Sequence, residues 1–164
     1  MTRATIEIAV RVESAAWRRR VPQVARLARR AAAAALGATA GPLELAIVFA
    51  DDDAVRALNR TWRGKDAPTN VLSFPAGATT PAGARLLGDV VLAFGTCARE
   101  AKAQGKTLAA HASHLVVHGV LHLLGHDHED DRAAERMEAV ERGILARLGI
   151  ADPYASPARR RRAA

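Results

Sequence analysis

Apolar and polar positions along the chain mark out a series of short strands and helices. Ile6 to Val12, IEIAVRV, alternates at period two and predicts a strand with one buried face. Ser14 is placed to cap the next element. Trp17, Val21, Val24, Leu27 and Ala31 then recur at three- and four-residue steps, which predicts one amphipathic helix from Ala15 to Leu36, closed by Gly37. Leu43 to Asp51 predicts a second strand. The acids Asp51 to Asp53 stand directly ahead of Val55, Leu58 and Trp62 at helical spacing, so they predict an N-capped short helix rather than a metal site. In Ala67 to Pro75, prolines bracket an extended run and predict an edge strand. Ala76 to Arg85, rich in Gly, Pro and Thr, predicts a loop. Leu86 to Phe94 is apolar apart from Gly88 and Asp89 and predicts a strand inside the sheet. Three helices are predicted after it, over Thr96 to Gln104, Leu108 to Leu124 and Asp130 to Leu148. The last carries Met137, Val140, Ile144, Leu145 and Leu148 on one side.

Together these elements predict an α+β fold, a single domain over residues 1–154. A mixed, about four-stranded β-sheet packs against about five α-helices. Residues 155–164 are arginine-rich and predict a basic disordered tail. A chain of 164 residues buries about two thirds of the surface its unfolded form exposes. With 49% hydrophobic and 25% charged residues it has the balance of a globular protein, which excludes an intrinsically disordered one. The small-apolar run Ala31 to Gly37 is far shorter than the ~18 residues of a spanning helix, and no signal-peptide pattern opens the chain. The expectation is a cytoplasmic protein without a membrane partner. Cys97, the single cysteine, reads as a small buried apolar residue with no chemical role. The net charge of +7 favours a polyanionic partner such as nucleic acid. It is a weak pointer, because the bias toward arginine and alanine also follows from genome composition.

The chemistry lies in HGVLHLLGHDH, His118 to His128. An imidazole among aliphatic residues loses hydration at a cost of about 1–3 kcal/mol unless a hydrogen bond or a metal compensates. All 6 histidines fall between His111 and His128. His114, His118 and His122 share one helical stripe, but the outer two are about 12 Å apart at Cα and cannot meet on one ion. Gly125 stands where a helix needs a left-handed terminal residue, so the chain should reverse there and bring His126, Asp127 and His128 back beside the last turns. His118 and His122 are therefore the near pair. A third ligand from the returning loop gives a three-histidine site with an open position, as in catalytic rather than structural zinc. His128 is preferred to His126 because the intervening residues give the loop room to turn inward. His114 is expected to hydrogen-bond behind the ligands or to pack, and His111 to lie on the surface. Asp127 either orients a ligand imidazole or shapes the loop. Gly119 stands where a metallopeptidase HExxH helix carries its general base, which removes the proton acceptor of a peptidase.

The same stretch closely resembles the H-G-x-L-H-L-x-G-Y-D-H signature of the YbeY family of bacterial endoribonucleases. LNRTWRGKDAPTNVLSFP (Leu58 to Pro75), LLGDVVL and ILARLGIADPY extend the resemblance over most of Leu43 to Tyr154. It implies a zinc-dependent, single-strand-specific endoribonuclease that matures the 3′ end of 16S rRNA and removes defective ribosomes. The partners so implied are rRNA and the small ribosomal subunit with its associated proteins. Carried across residue by residue, it makes His118, His122 and His128 the metal ligands and Arg63 the functional arginine, suited to phosphate by its planar fork. His126 stands where the family has tyrosine, adding an imidazole that could compete for the ion or assist proton transfer. Water and the ribose 2′-hydroxyl both remain open as nucleophile, as do divalent ions other than zinc. The alternative is a non-catalytic ribosome-assembly factor whose structural zinc recruits His126 or His114 as a fourth ligand.

Overall fold

Pro22 cuts the first predicted helix in two. In the structure, a computed structural model that describes residues 5–155, α1 (Ala15–Arg20) ends at Val21 and α2 (Val24–Leu36) begins beyond the proline. Proline has no N–H to donate and its ring clashes with the preceding turn, so the residue before it moves to extended backbone. Val21 does so, at φ −133° and ψ 82°. This correction raises the helices among the described residues from about five to six. α1 is held from its buried side, where Trp17 Nε1 donates to the Ala50 carbonyl at 2.9 Å and the indole meets Phe49 edge-on at 5.0 Å.

The sheet has the order β1 (Ile6–Val12), β2 (Leu43–Ala50), β4 (Arg85–Ala93), β3 (Val71–Thr79). β1 and β4 both run parallel to β2, while β3 pairs antiparallel with β4. The sheet is thus mixed and four-stranded, β4 is interior and β3 is an edge, as the sequence predicts. The predicted loop Ala76 to Arg85 is half strand: only residues 80–84 turn, between β3 and β4. Ala78 and Thr79 pair with Leu86 and Arg85 after a register shift that starts at Pro75. A bulge at an edge tolerates the missing donor of a proline, so pairing resumes beyond it. Gly88 permits the close approach there: its φ is +135°, and a Cβ would lie 2.0 Å from the Phe74 carbonyl oxygen.

Alternation along the inner strands feeds two cores. Leu45, Ile47, Phe49, Val90 and Leu92 face the larger one, beneath α2 and α5 (Leu108–Leu123). Val48, Ala50, Val91 and Ala93 face the smaller one, beneath α3 (Asp52–Arg63). The Asp51 carboxylate caps α3 by accepting from Ala54 N at 2.8 Å, the use predicted for the acidic triplet. α4 (Phe94–Ala103) and α6 (Asp131–Arg147) complete the helical layer. α5 packs against β3, β4, α2, α4 and α6, so it is buried on nearly every side. His111, expected on the surface, is therefore 3% exposed. Of the predicted tail, residues 156–164 lie outside the described residues. No helix among the described residues is long and apolar enough to cross a membrane.

Candidate metal centre

The site is built where α5 stops. The Thr107 hydroxyl caps its start by accepting from Ala110 N at 3.0 Å, and Gly125, at φ +98°, closes its end. The Gly125 amide donates to His122 O and the His126 amide to Leu121 O, both at 3.0 Å, the double closure by which a helix reverses direction. That reversal returns the following loop to the last two turns. His118 Nε2 and His122 Nε2 face each other at 3.0 Å, and the His128 ring centroid lies 5.0 Å from that of His122 and 6.0 Å from that of His118. Two imidazoles on one tetrahedral zinc, with Zn–N near 2.1 Å, hold their nitrogens roughly 3.4 Å apart. The His118–His122 spacing fits such an ion.

Behind these rings stands a residue that no motif in the sequence singles out. Glu141, on α6, is fully buried. Its Oε1 accepts from His118 Nδ1 at 2.5 Å, and its Oε2 accepts from His114 Nε2 at 2.9 Å and from the Tyr154 hydroxyl. Burial alone would raise its pKa, yet the hydrogen bonds from His114, His118 and Tyr154 hold it down at about 2. The same burial and the Glu141 bond push the Tyr154 phenol upward, which keeps it a donor. An ionised acceptor fixes the proton of His118 on Nδ1, and its Nε2 lone pair points toward His122. His122 is shifted down, first by burial and then by the neighbouring His118 and His128, so it favours the neutral, ligand-competent form. The signal for Glu141 lies in the α6 pattern, where it falls four residues after Met137 and three before Ile144, on the apolar stripe.

His114, His118 and Glu141 themselves offer one donor atom each, all within 4.8 Å of one another, a two-histidine, one-carboxylate group suited to a cation. His118 is common to this group and to the His118–His122–His128 convergence. The predicted stripe of His114, His118 and His122 thus divides in space: His114 turns to Glu141 and Tyr154, with its Nδ1 buried and unpartnered, while His122 turns toward the open cleft.

That cleft, about 480 Å³, is lined by His118, His122, His126, Asp127 and His128 on one side and by Arg63, Asn70 and the Val71–Ser73 stretch on the other. Arg63 closes α3. Its Nη2 donates to the Ser73 carbonyl at 2.7 Å, and its guanidinium lies 5.6 Å from the Phe74 ring centroid. Ser73 Oγ donates in turn to Gly119 O at 3.1 Å, so edge strand and helix are tied together beside the histidines. At Gly119 a Cβ would lie 2.5 Å from Val90 Cγ1, which accounts physically for the missing glutamate: no side chain fits there. Asp127 accepts from Glu129 N at 3.4 Å within the loop, and the carboxylate bonded to His118 is that of Glu141. Cys97 is buried, with its thiol pushed up to about 12 by burial and then by Glu100, in keeping with an inert core residue.

Comparison with known proteins identifies the family. The family model described as Endoribonuclease YbeY matches residues 7–149. The chain is 58% identical over 158 residues to Endoribonuclease YbeY of Paramagnetospirillum magneticum, covering 92% of this chain and 96% of that one. It is 54% identical over 159 residues to the protein of the same name from Azorhizobium caulinodans, covering 93% and 99%. Among solved structures, the solution structure of TM1509 from Thermotoga maritima matches with a TM-score of 0.53 at 19% identity, over 92% of this chain and 97% of that one, a likeness of fold.

Proposed function

The chain belongs to the YbeY endoribonuclease family, and on that premise we propose that it is a metal-dependent endoribonuclease specific for single-stranded RNA. Its substrate is rRNA. It acts in the cytoplasm on the small ribosomal subunit and its associated proteins, maturing the 3′ end of 16S rRNA and removing defective ribosomes. One observation carries the reading: a histidine pair, oriented from behind by a buried carboxylate, opens into the same cleft as an arginine anchored for phosphate. His118, His122 and His128 would hold one divalent cation, zinc in this reading, through imidazole nitrogens, with Glu141 orienting His118. Bound there, zinc would supply a Lewis acid that stabilises charge on phosphate oxygens.

The chain's own groups do the rest. Arg63, held flat by Ser73 and Phe74, presents its fork to a phosphate as charge builds on it. Unpaired RNA would run along the cleft between β3 and the histidines, past Arg63. Gly119 supplies no general base, so the proton acceptor lies elsewhere and the attacking oxygen is read from the product. A 2′,3′-cyclic phosphate identifies the ribose hydroxyl, and a 5′-phosphate with a 3′-hydroxyl identifies water. The test combines metal analysis with cleavage of matched single- and double-stranded RNA, with and without chelator. Wild type should cut only the single strand and only when metallated. His118→Ala should lose both metal and cleavage. Arg63→Ala should keep the metal and lose about 10²–10³-fold in rate. Undiminished cutting after the metal is stripped would sink the reading. The His114–His118–Glu141 group favours a second reading, a non-catalytic ribosome-assembly factor with a structural ion. That reading requires metal to persist in a His122→Ala, His128→Ala double variant, with no cleavage by wild type.

A further inference from the structure

Helix α3 presents more than Arg63. Ala54, Ala57, Leu58, Thr61 and Trp62, at alternating steps of three and one residues, form one face of the helix along a second groove of about 960 Å³ over one face of the sheet. Pro75 lines both this groove and the metal cleft, so the two lie side by side at β3. Trp62 lines the groove at 69% exposure. The contrast with Trp17 is sharp: that indole is fully buried and its N–H is bonded. An exposed indole flanking a groove is a flat π-surface without a packing duty.

We propose that Trp62 is the stacking platform for one unpaired base of the RNA, the base next to the phosphate held at Arg63. This rests on the endoribonuclease reading and adds to it the path of the strand. Proteins that hold single strands combine a cationic track for the backbone with aromatic faces for the bases. Here the cation and the aromatic ring are adjacent residues at the end of one helix, in a chain of net charge +7. The groove's acids set the polarity of the arrangement. Glu13 is paired with Arg11 at 3.3 Å, and Asp89 lies on the sheet floor. A carboxylate there repels phosphate, so the backbone stays over Arg63 while the uncharged base turns toward Trp62.

The two tryptophans make this directly observable. In full-length protein kept in chelator, where binding is read without turnover, a short oligoadenylate should quench the Trp62 emission and leave that of buried Trp17 as an internal reference. An abasic strand of equal length should bind more weakly and quench nothing. Trp62→Ala should weaken oligoadenylate binding about tenfold, and Trp62→Phe should keep most of the affinity. With the metallated enzyme, Trp62→Ala should raise KM and leave kcat unchanged, the signature of a binding contact rather than a folding defect. Equal affinity of wild type and Trp62→Ala for oligoadenylate, or equal binding of the abasic strand, overturns the proposal and assigns the groove to a protein partner. Quenching without any metal-dependent cleavage would instead overturn the endoribonuclease reading while leaving the stacking contact intact.

Discussion

His118 and His111 occupy the same helix, two turns apart, and each lies near a glutamate, yet the two regions have opposite character. His118 donates to fully buried Glu141 at 2.5 Å and presents its other nitrogen to a cleft. His111 is 3.6 Å from Glu100, and neither of its ring nitrogens makes a hydrogen bond. The difference is geometric. A carboxylate aligned on Nδ1 fixes which nitrogen carries the proton and frees the other, whereas one beyond bonding distance fixes nothing. Burial is not what separates the two, since His111 is the more buried.

The strongest way to break this contrast is to neutralise the orienting acid. Glu141→Gln keeps the volume but removes the charge that holds the His118 proton on Nδ1, so zinc affinity should fall about 10–100-fold, measured by competition with a chromogenic chelator. The matched change Glu100→Gln should leave zinc affinity unaltered. Equal losses from the two variants would mean that both carboxylates act only through general charge.

A second test concerns where α5 is seated. Gly119 directly follows His118, and its Cα hydrogen takes the place of a side chain that would meet Val90 Cγ1 at 2.5 Å and Ser73 Oγ at 3.2 Å. Val90 is fully buried and cannot swing aside. Gly119→Ala should therefore cost about 1–3 kcal/mol of stability by overpacking, read from urea unfolding, and should lower zinc affinity because the metal end of the helix is lifted from the sheet. Unchanged metal binding would show that the histidines are positioned from the α6 side alone.

How much is legible in the sequence depends on how far each signal reaches. The i, i+4 histidines and the Gly125 reversal are local, and the structure places both as the spacing requires. The interior strand Leu86–Phe94 is legible because a nearly continuous apolar run marks a strand buried on both faces. Glu141 is legible only as an acid on the apolar stripe of α6; its partners are not, because they depend on α6 lying against α5. His111 misleads for a related reason. A helix packed on nearly every side has no polar face for a period of 3.6 to reveal, and an imidazole near its start then resembles a surface residue. Pro22 is visible in the chain, yet the apolar steps run straight through it; a proline inside the helix breaks the backbone that those steps assume.

The smallest expected effect comes from His111, and its direction is the informative part. Burial, chiefly, lowers the pKa of this imidazole from its ordinary 6.5; Glu100 opposes the shift, while Lys106 and His114 add to it. The folded chain therefore refuses a proton that the unfolded chain accepts. Stability from this source is fully present above pH 6.5 and is lost as the pH falls through the lowered folded value. His111→Leu removes the titrating group and two unpartnered nitrogens, so its stability at about pH 7.5 should stay within about 1 kcal/mol of wild type. Between about pH 6.5 and about pH 5.5 the wild-type urea midpoint should fall faster than that of the variant. Parallel curves would mean that Glu100 closes on a protonated His111, and the two ends of α5 would then be alike in using a carboxylate to hold an imidazole.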